Sequence, residues 1–433
     1  VIMATAAPTQ VNRKALQLVR ERLAEEPVVL IEGPRSVGKS TLLREIAVES
    51  GSVVIDLDDL ATRDAVTADP ALFMAGKGPV CVDEYQKAPL VLDAIKAELN
   101  RTTTPGRFLL AGSTRYETLP EAAQSLTGRL SRVPIQPFTQ AEIGGVNNSL
   151  LTQLFDDPDS LITAATSSTT RDEYIQRVVR GGFPLAIARP SPSSRSRWFE
   201  DYIRLTLERD ARELGKLRQA TALPRLLGRL AGQTAQVLSL TDAGSDINLS
   251  AVTVESYTRI LEAVFLIQQL PAWGTTLTSR TSNKPKLHVV DSGVAAHLLR
   301  LSPERLARRD ASALTEFGHL LETFVVGELT RQASWMDGLA GIGHWRTYDG
   351  DEVDFIAERH DGTIVAIEVK AGRRVPGSDL SPLRKLRDRL GDRFVAGVAL
   401  YLGERSYTFE DRLHVVPVDR LWTVLGATAS ALA

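Results

Sequence analysis

A chain of 433 residues is longer than one ordinary hydrophobic core organises, so about two to four domains are expected. Hydrophobic residues at 43% and charged residues at 24% exclude a disordered chain, and a formal net charge of −2 excludes bulk attraction to nucleic acid. A single cysteine, Cys81, excludes an internal disulfide, no apolar run is long enough to span a bilayer, and Val1 to Pro8 lacks the basic start and long apolar centre of a secretion signal, so a cytoplasmic protein is expected.

Leu16, Val19 and Leu23 have helical spacing and predict a helix over roughly Asn12 to Glu25. The apolar run Val28 to Ile31 then reads as a buried strand. It leads into Gly33, Pro34, Arg35, Ser36, Val37, Gly38, Lys39 and Ser40, and a helix follows from Thr41. A glycine-rich turn feeding a helix aims backbone N–H groups and the positive end of the helix dipole at one point, where a triphosphate supplies the matching charge. Lys39 is placed to reach the β- and γ-phosphates, and the Ser40 hydroxyl to ligate Mg²⁺. Short apolar runs at Val53 to Leu57, Pro79 to Glu84 and Phe108 to Gly112, with a helix over Leu90 to Leu99, predict a parallel sheet covered on both faces. An α/β nucleotide-binding domain is therefore expected over residues 1–140.

Hydrolysis needs a metal anchor, a residue to orient water and a cation for the leaving charge. Asp83, ending a buried strand, is the candidate for Mg²⁺ and Glu84 for polarising water. Ser113 follows the next strand and is a candidate polar sensor of the γ-phosphate. Arg129, with Arg132 close by, is the candidate charge-stabilising arginine, while Arg35 is placed to pair with a phosphate or a nearby carboxylate. Cys81 lies in an apolar run and reads as a small core residue.

Residues 12–145 resemble the AAA+-type branch of P-loop ATPases, and more narrowly bacterial and archaeal proteins that join such an ATPase to a C-terminal domain of uncertain function. The carrying strings are Glu32 to Ser40, Val82 to Gln86, Ala111 to Ser113 and Leu126 to Arg129. The resemblance continues through Arg180 to Pro184, Val290 to Gly293 and Gly318 to Glu322. It implies ATP as the nucleotide, with Lys39 and Ser40 on nucleotide and metal, Asp83 on magnesium and Glu84 on water. It leaves the oligomeric state, a homo-oligomer included, open: many such ATPases assemble so that an arginine reaches the next subunit's nucleotide, and Arg129 is placed to act either in that way or within its own chain.

Residues 141–224 predict a helical connector, with helical periodicity over Asp172 to Gly182 and Trp198 to Leu217 and a turn-rich interruption at Pro190 to Ser194. Residues 225–305 predict a compact helical section. There Asn248 to Val254, a helix over Ser256 to Val264 and the apolar Phe265 to Ile267 follow in an order that resembles a winged helix, with a simple helical spacer as the alternative.

Residues 306–433 return to mixed α/β. A helix over Phe317 to Gln332 precedes strands over Glu352 to Ala357 and Ile364 to Ala371, a basic helix over Leu380 to Leu390, and a strand over Val395 to Leu402. A hairpin turned at His360 to Gly362 sets Asp354 beside Glu368, with Lys370 on the same face as Glu368. Two carboxylates holding Mg²⁺ or Mn²⁺, with a lysine to position water, are the equipment of metal-assisted phosphodiester hydrolysis. This Asp…Glu-x-Lys arrangement resembles the PD-(D/E)XK nuclease superfamily, and Glu322 matches the extra acidic residue of many members, a third candidate metal ligand. Any nucleic-acid contact, DNA foremost, needs a local basic face such as Arg384, Lys385, Arg387 and Arg389, with an ordinary solvated helix face as the alternative. The overall expectation is a multidomain α/β protein: a parallel-sheet P-loop ATPase core, a helical and winged-helix-like middle and a nuclease-like C-terminal domain. Two activities fit it. One is Mg²⁺-dependent ATP hydrolysis coupled to nucleic-acid binding or cleavage. The other is a nucleotide-switched protein- or DNA-binding chain whose nuclease-like domain does no chemistry.

Overall fold

The computed structural model describes residues 11–116, 126–214, 220–276 and 284–423. Val1 to Pro8 and the end of the stretch read as helical to Leu217 lie outside them. The first sheet contains β1 (Val28–Glu32), β2 (Val54–Asp56), β3 (Val80–Asp83), β4 (Phe108–Gly112) and β5 (Leu130–Pro134), in the order β2-β3-β4-β1-β5. All pairings are parallel. Every residue of β1, β3 and β4 is buried, because alternate side chains enter two different layers. Val29 and Ile31 pack with Leu16, Val19, Leu42 and Leu43 of the helices Lys14–Glu25 and Lys39–Ser50. Val28 and Leu30 pack with Val91 and Ile95 of the helix Leu90–Arg101. Cys81 is buried in the first layer, as a core residue should be.

The middle of the chain begins with the helix Arg171–Arg180, whose start is fixed by a reciprocal capping box between Thr170 and Glu173. The turn-rich stretch at 190–194 does interrupt the helices, but only over its first two residues, Pro190 and Ser191. Ser191 caps the helix Pro192–Leu205, and Pro192 occupies the first turn, where its missing N–H leaves nothing unsatisfied. That helix runs into one π-helical turn, Thr206–Asp210. Next come the helix Leu223–Ala231, β6 (Gln236–Val237), the helices Leu240–Ser245 and Ala251–Ala263, β7 (Ile267–Leu270) and β8 (Lys286–Val289). The three strands form an antiparallel sheet ordered β6-β8-β7. The helix expected over Ser256 to Val264 starts earlier than its apolar spacing suggested, because Ser250 caps it by accepting from the Thr253 N–H.

The C-terminal region opens with the helix Ala311–Ser334. A six-stranded sheet follows, made of β9 (Leu339–Arg346), β10 (Glu352–Arg359), β11 (Ile364–Lys370), β12 (Phe394–Tyr401), β13 (Tyr407–Glu410) and β14 (Leu413–Pro417), in the order β13-β14-β12-β11-β10-β9. β9, β10 and β11 are antiparallel neighbours, and β12 returns parallel to β11 after the helix Ser381–Leu390.

A buried polar knot ties the regions together. Glu328 of the long helix accepts from the Gln140 N–H at 3.0 Å and from Arg331 at 3.2 Å. Asp291 accepts from the backbone N–H groups of Gly182 at 2.7 Å, Gly293 at 2.9 Å and Val294 at 3.2 Å. Burial pushes the Glu328 carboxyl up to about 7 against the pull of Arg331. The connector also leans on the C-terminal sheet. Asn148 donates to the Arg420 carbonyl at 2.7 Å, and the Asp419 N–H donates to the Tyr174 hydroxyl at 3.1 Å.

Candidate nucleotide site and a second acidic cleft

The loop between β1 and the helix Lys39–Ser50 leaves the carboxyl end of a strand flanked by β4 and β5. The carboxyl ends of the strands are where open α/β sheets bind ligands. Two glycines let the loop form. A side chain at Gly33 would place its Cβ 1.9 Å from the Ile135 carbonyl oxygen, and Gly38 turns into the helix with φ of 96°. Lys39 is buried, and its ammonium donates to the carbonyls of Gly33 at 2.8 Å and Pro34 at 2.7 Å. Burial lowers its pKa to about 8 against the attraction of Glu84 and Asp83.

β3 brings the acidic pair to the same end of the sheet. Burial raises the Asp83 carboxyl above its ordinary range, and a hydrogen bond from the Ser40 side chain opposes that rise. The Ser40 and Asp83 oxygens are thus neighbours of the kind that hold Mg²⁺ in common. Glu84 has a left-handed backbone with φ of 53°, a conformation that a non-glycine residue adopts at a cost and that concentrates at functional sites. Its Oε2 accepts from the Ser113 hydroxyl at 3.0 Å and from the Gln86 amide, which also donates to Ser113 at 3.1 Å. Arg35 lies between the loop and the middle of the chain, donating to the buried Asp210 at 2.5 Å and standing 3.9 Å from Glu84.

The structure therefore gathers Gly33 through Ser40, Asp83, Glu84 and Ser113 at one end of one sheet. Thr41, the residue after the loop, lies in the first turn of the same helix. Arg129 is not among them. It precedes β5 at the end where Val28 pairs with Leu130, whereas the loop leaves where Glu32 pairs with Pro134, roughly 13 Å further along at the usual strand rise. Its guanidinium donates to Asn100 instead. Reading the sequence also overlooked Asp56, whose partner across the β2–β3 pair is Asp83, and Gln86 and Asp210. Gln86 was visible in the string Val82 to Gln86, but nothing local marks Asp210 as a partner of residue 35.

The second acidic constellation departs from expectation. Asp354 on β10 and Glu322 on the helix Ala311–Ser334 do converge, but on the ammonium of Lys286 from β8, at 2.8 Å and 2.7 Å. Glu352 is a third partner of the same ammonium. Glu368 turns to Lys370, whose ammonium donates to it at 2.7 Å. Glu322, Asp354 and Glu368 are accordingly not an open metal cage: a fully buried lysine stands where the cation was expected. Among the described residues no group of three or more His, Cys, Asp or Glu is disposed to hold a metal. Burial alone lowers the Lys286 pKa, but Asp354, Glu322 and Glu352 outweigh it and hold the ammonium above its ordinary range. Burial and the charge of Asp354 push the Glu368 carboxyl up to about 8 and raise Glu322 well above the usual carboxylate range. The basic helix face is also largely neutralised, with Arg384 and Arg387 on Glu410 and Lys385 on Asp351.

A parallel sheet with a phosphate loop after its first strand and an Asp-Glu pair ending its third defines a P-loop domain of the ATPase type. Residues 25–144 match the family described as an AAA domain, which supports an ATPase-type domain there. Residues 171–305 and 317–421 match two domains of unknown function, DUF8612 and DUF4143. Similar proteins include uncharacterized proteins of Mycobacterium tuberculosis and Mycobacterium bovis, each 27% identical over 416 residues and covering 95% of this chain and 85% of their own. Among solved structures, a Walker-type ATPase of Pyrococcus abyssi shares 13% identity over 66% of this chain and 95% of its own, with a TM-score of 0.34. The RuvB Holliday junction branch migration motor of Thermotoga maritima shares 18% identity over 59% and 86%, with a TM-score of 0.28. Among the described residues, no helix is long and apolar enough to cross a membrane.

Proposed function

We propose that the chain is a Mg²⁺-dependent ATPase whose nucleotide state governs binding by its middle and C-terminal regions. The observation that carries this reading is the cluster of Lys39, Ser40, Asp83, Glu84 and Ser113 at one sheet end. With nucleotide bound, Lys39 would exchange two backbone carbonyls for phosphate oxygens, and Ser40 and Asp83 would hold Mg²⁺, which would supply charge neutralisation to the phosphates. Glu84 accepts the proton of the attacking water after Ser113 and Gln86 have fixed its carboxylate. Arg35, bonded to Asp210, carries a change at the loop to the helix Pro192–Leu205. Steady-state ATP turnover by the purified chain tests this: Lys39→Ala should abolish it and Glu84→Gln lower it by at least about a hundredfold, and a Glu84→Gln protein with undiminished turnover contradicts it.

For the remaining regions, the switched-binding reading is favoured over cleavage. The helix–strand–helix–helix–strand–strand order of residues 223–289 supports a winged-helix-like unit, and the helix, antiparallel β9-β10-β11, helix, parallel β12 order supports a nuclease-like fold. Lys286 on Asp354 and Glu322 argues against metal-assisted cutting in this arrangement. DNA is the first partner to test, by fluorescence anisotropy with ATP analogue or ADP bound. Equal affinity in both states, or nicking that Asp354→Ala and Lys370→Ala abolish, overturns the switched, non-cutting reading.

A further inference from the structure

The cation in the C-terminal cleft belongs to the chain itself. β8 is the central strand of the small antiparallel sheet, and its alternation sends Leu287 and Val289 into the core while Lys286 and His288 face the long helix. That sheet is fastened to the C-terminal one: the Trp273 N–H donates to the His344 carbonyl at 2.6 Å, the His344 N–H to the Pro271 carbonyl at 2.9 Å, and the Trp273 indole to Glu358 at 2.9 Å. Lys286 thus arrives from a neighbouring unit into a pocket of four carboxylates, those of Glu322, Glu352, Asp354 and Glu368. One Glu368 oxygen is buried there with no hydrogen-bond partner. A lone ammonium buried without anions is strongly unfavourable, as are several buried carboxylates without a cation, so each side requires the other.

We infer that Lys286 is the resident cation of this cleft, standing in place of a divalent metal and locking the middle unit onto the C-terminal sheet. Three carboxylates converge on that one position, and their hard oxygens are the donors that divalent ions take, so once the lysine is gone an inward shift of the carboxylates would let a divalent ion replace its charge. Removing the lysine side chain should therefore expose a latent metal site that the intact chain conceals. This inference is independent of the ATPase reading, since it concerns the chain without nucleotide.

The test uses the full-length chain, free of nucleotide, as wild type, Asp354→Asn, Lys286→Ser and Lys286→Ser/Asp354→Asn. Mn²⁺ uptake is followed by the loss of the free-ion electron paramagnetic resonance signal, and thermal unfolding is measured with and without Mn²⁺. The expected result is no Asp354-dependent Mn²⁺ uptake by wild type, and roughly one Mn²⁺ per chain for Lys286→Ser. That variant should melt below wild type in chelator and recover on adding Mn²⁺, and the double variant should lose both effects. A Lys286→Ser protein that folds only when Mn²⁺ is present also supports the inference. Asp354-dependent Mn²⁺ uptake by wild type overturns it, as does a folded Lys286→Ser protein indifferent to Mn²⁺. Failure of Lys286→Ser to fold even in Mn²⁺ overturns it too, because the carboxylates would then require the ammonium itself.

Discussion

The phosphate-loop pocket and the C-terminal cleft are built from the same chemical parts, acidic side chains and a buried lysine, yet they are wired in opposite ways. In the first, the Lys39 ammonium rests on two backbone carbonyls, and burial lowers its pKa to about 8. Its charge is under-compensated, so an incoming polyphosphate improves its surroundings. In the second, Lys286 already has three carboxylate partners and is held charged by them. A further cation gains nothing there. Residue types alone do not separate a binding site from a structural lock; what separates them is whether the charges are already satisfied.

The largest break in that comparison is Gly33→Ala. Its new methyl group meets the Ile135 carbonyl at 1.9 Å, so the loop must move and ATP binding should disappear, as read by isothermal titration. Nucleotide affinity equal to wild type would show that the loop does not bind as described. Glu84→Gln should come next, lowering kcat by about a hundredfold to ten-thousandfold while ATP still binds. A matching loss of affinity would instead assign Glu84 to nucleotide binding.

Asp354→Asn sharpens the other side. It withdraws one carboxylate from a fully buried ammonium, and should cost about 1–3 kcal/mol in denaturant unfolding while leaving ATP turnover intact. No change in stability would mean that the cleft contributes little as a lock.

A pH series distinguishes the two lysines. Phosphate favours charged Lys39, so the complex holds a proton that the free chain releases above about pH 8. ATP affinity should therefore fall as pH rises past that point, by at most about tenfold per pH unit, with proton uptake visible as a buffer-dependent binding enthalpy. A flat profile between pH 7 and 9.5 would place the ammonium elsewhere. Arg129→Ala should matter least, changing turnover per chain at high dilution less than about twofold and stability by less than about 0.5 kcal/mol, because its partner Asn100 is remote from the loop. A severe loss of turnover would return Arg129 to the site.

The part of the molecule legible in its sequence follows the same division. β1, β3 and β4 are continuous apolar runs bounded by the residues that carry chemistry, so strand, loop and acidic pair were legible together. β5 was not, because as an edge strand it is only partly buried and carries Arg132 outward. Asp354 beside Glu368 followed from the hairpin, since Phe355 does pair with Ile367. Lys286 was hidden for a different reason. Its partners are 36 and 68 positions away on other elements, and a lysine alternating with Leu287 in a short strand looks like a solvated edge. Long-range charge compensation leaves no periodic signature, whereas burial does.

The most direct test counts tightly bound Mn²⁺ on the wild-type chain with and without a non-hydrolysable ATP analogue, using Asp83→Asn and Asp354→Asn to assign each ion. The account predicts a single ion that appears only with nucleotide, is lost in Asp83→Asn and persists in Asp354→Asn. An ion bound without nucleotide and lost in Asp354→Asn would contradict it, showing the C-terminal carboxylates to be a working metal site after all.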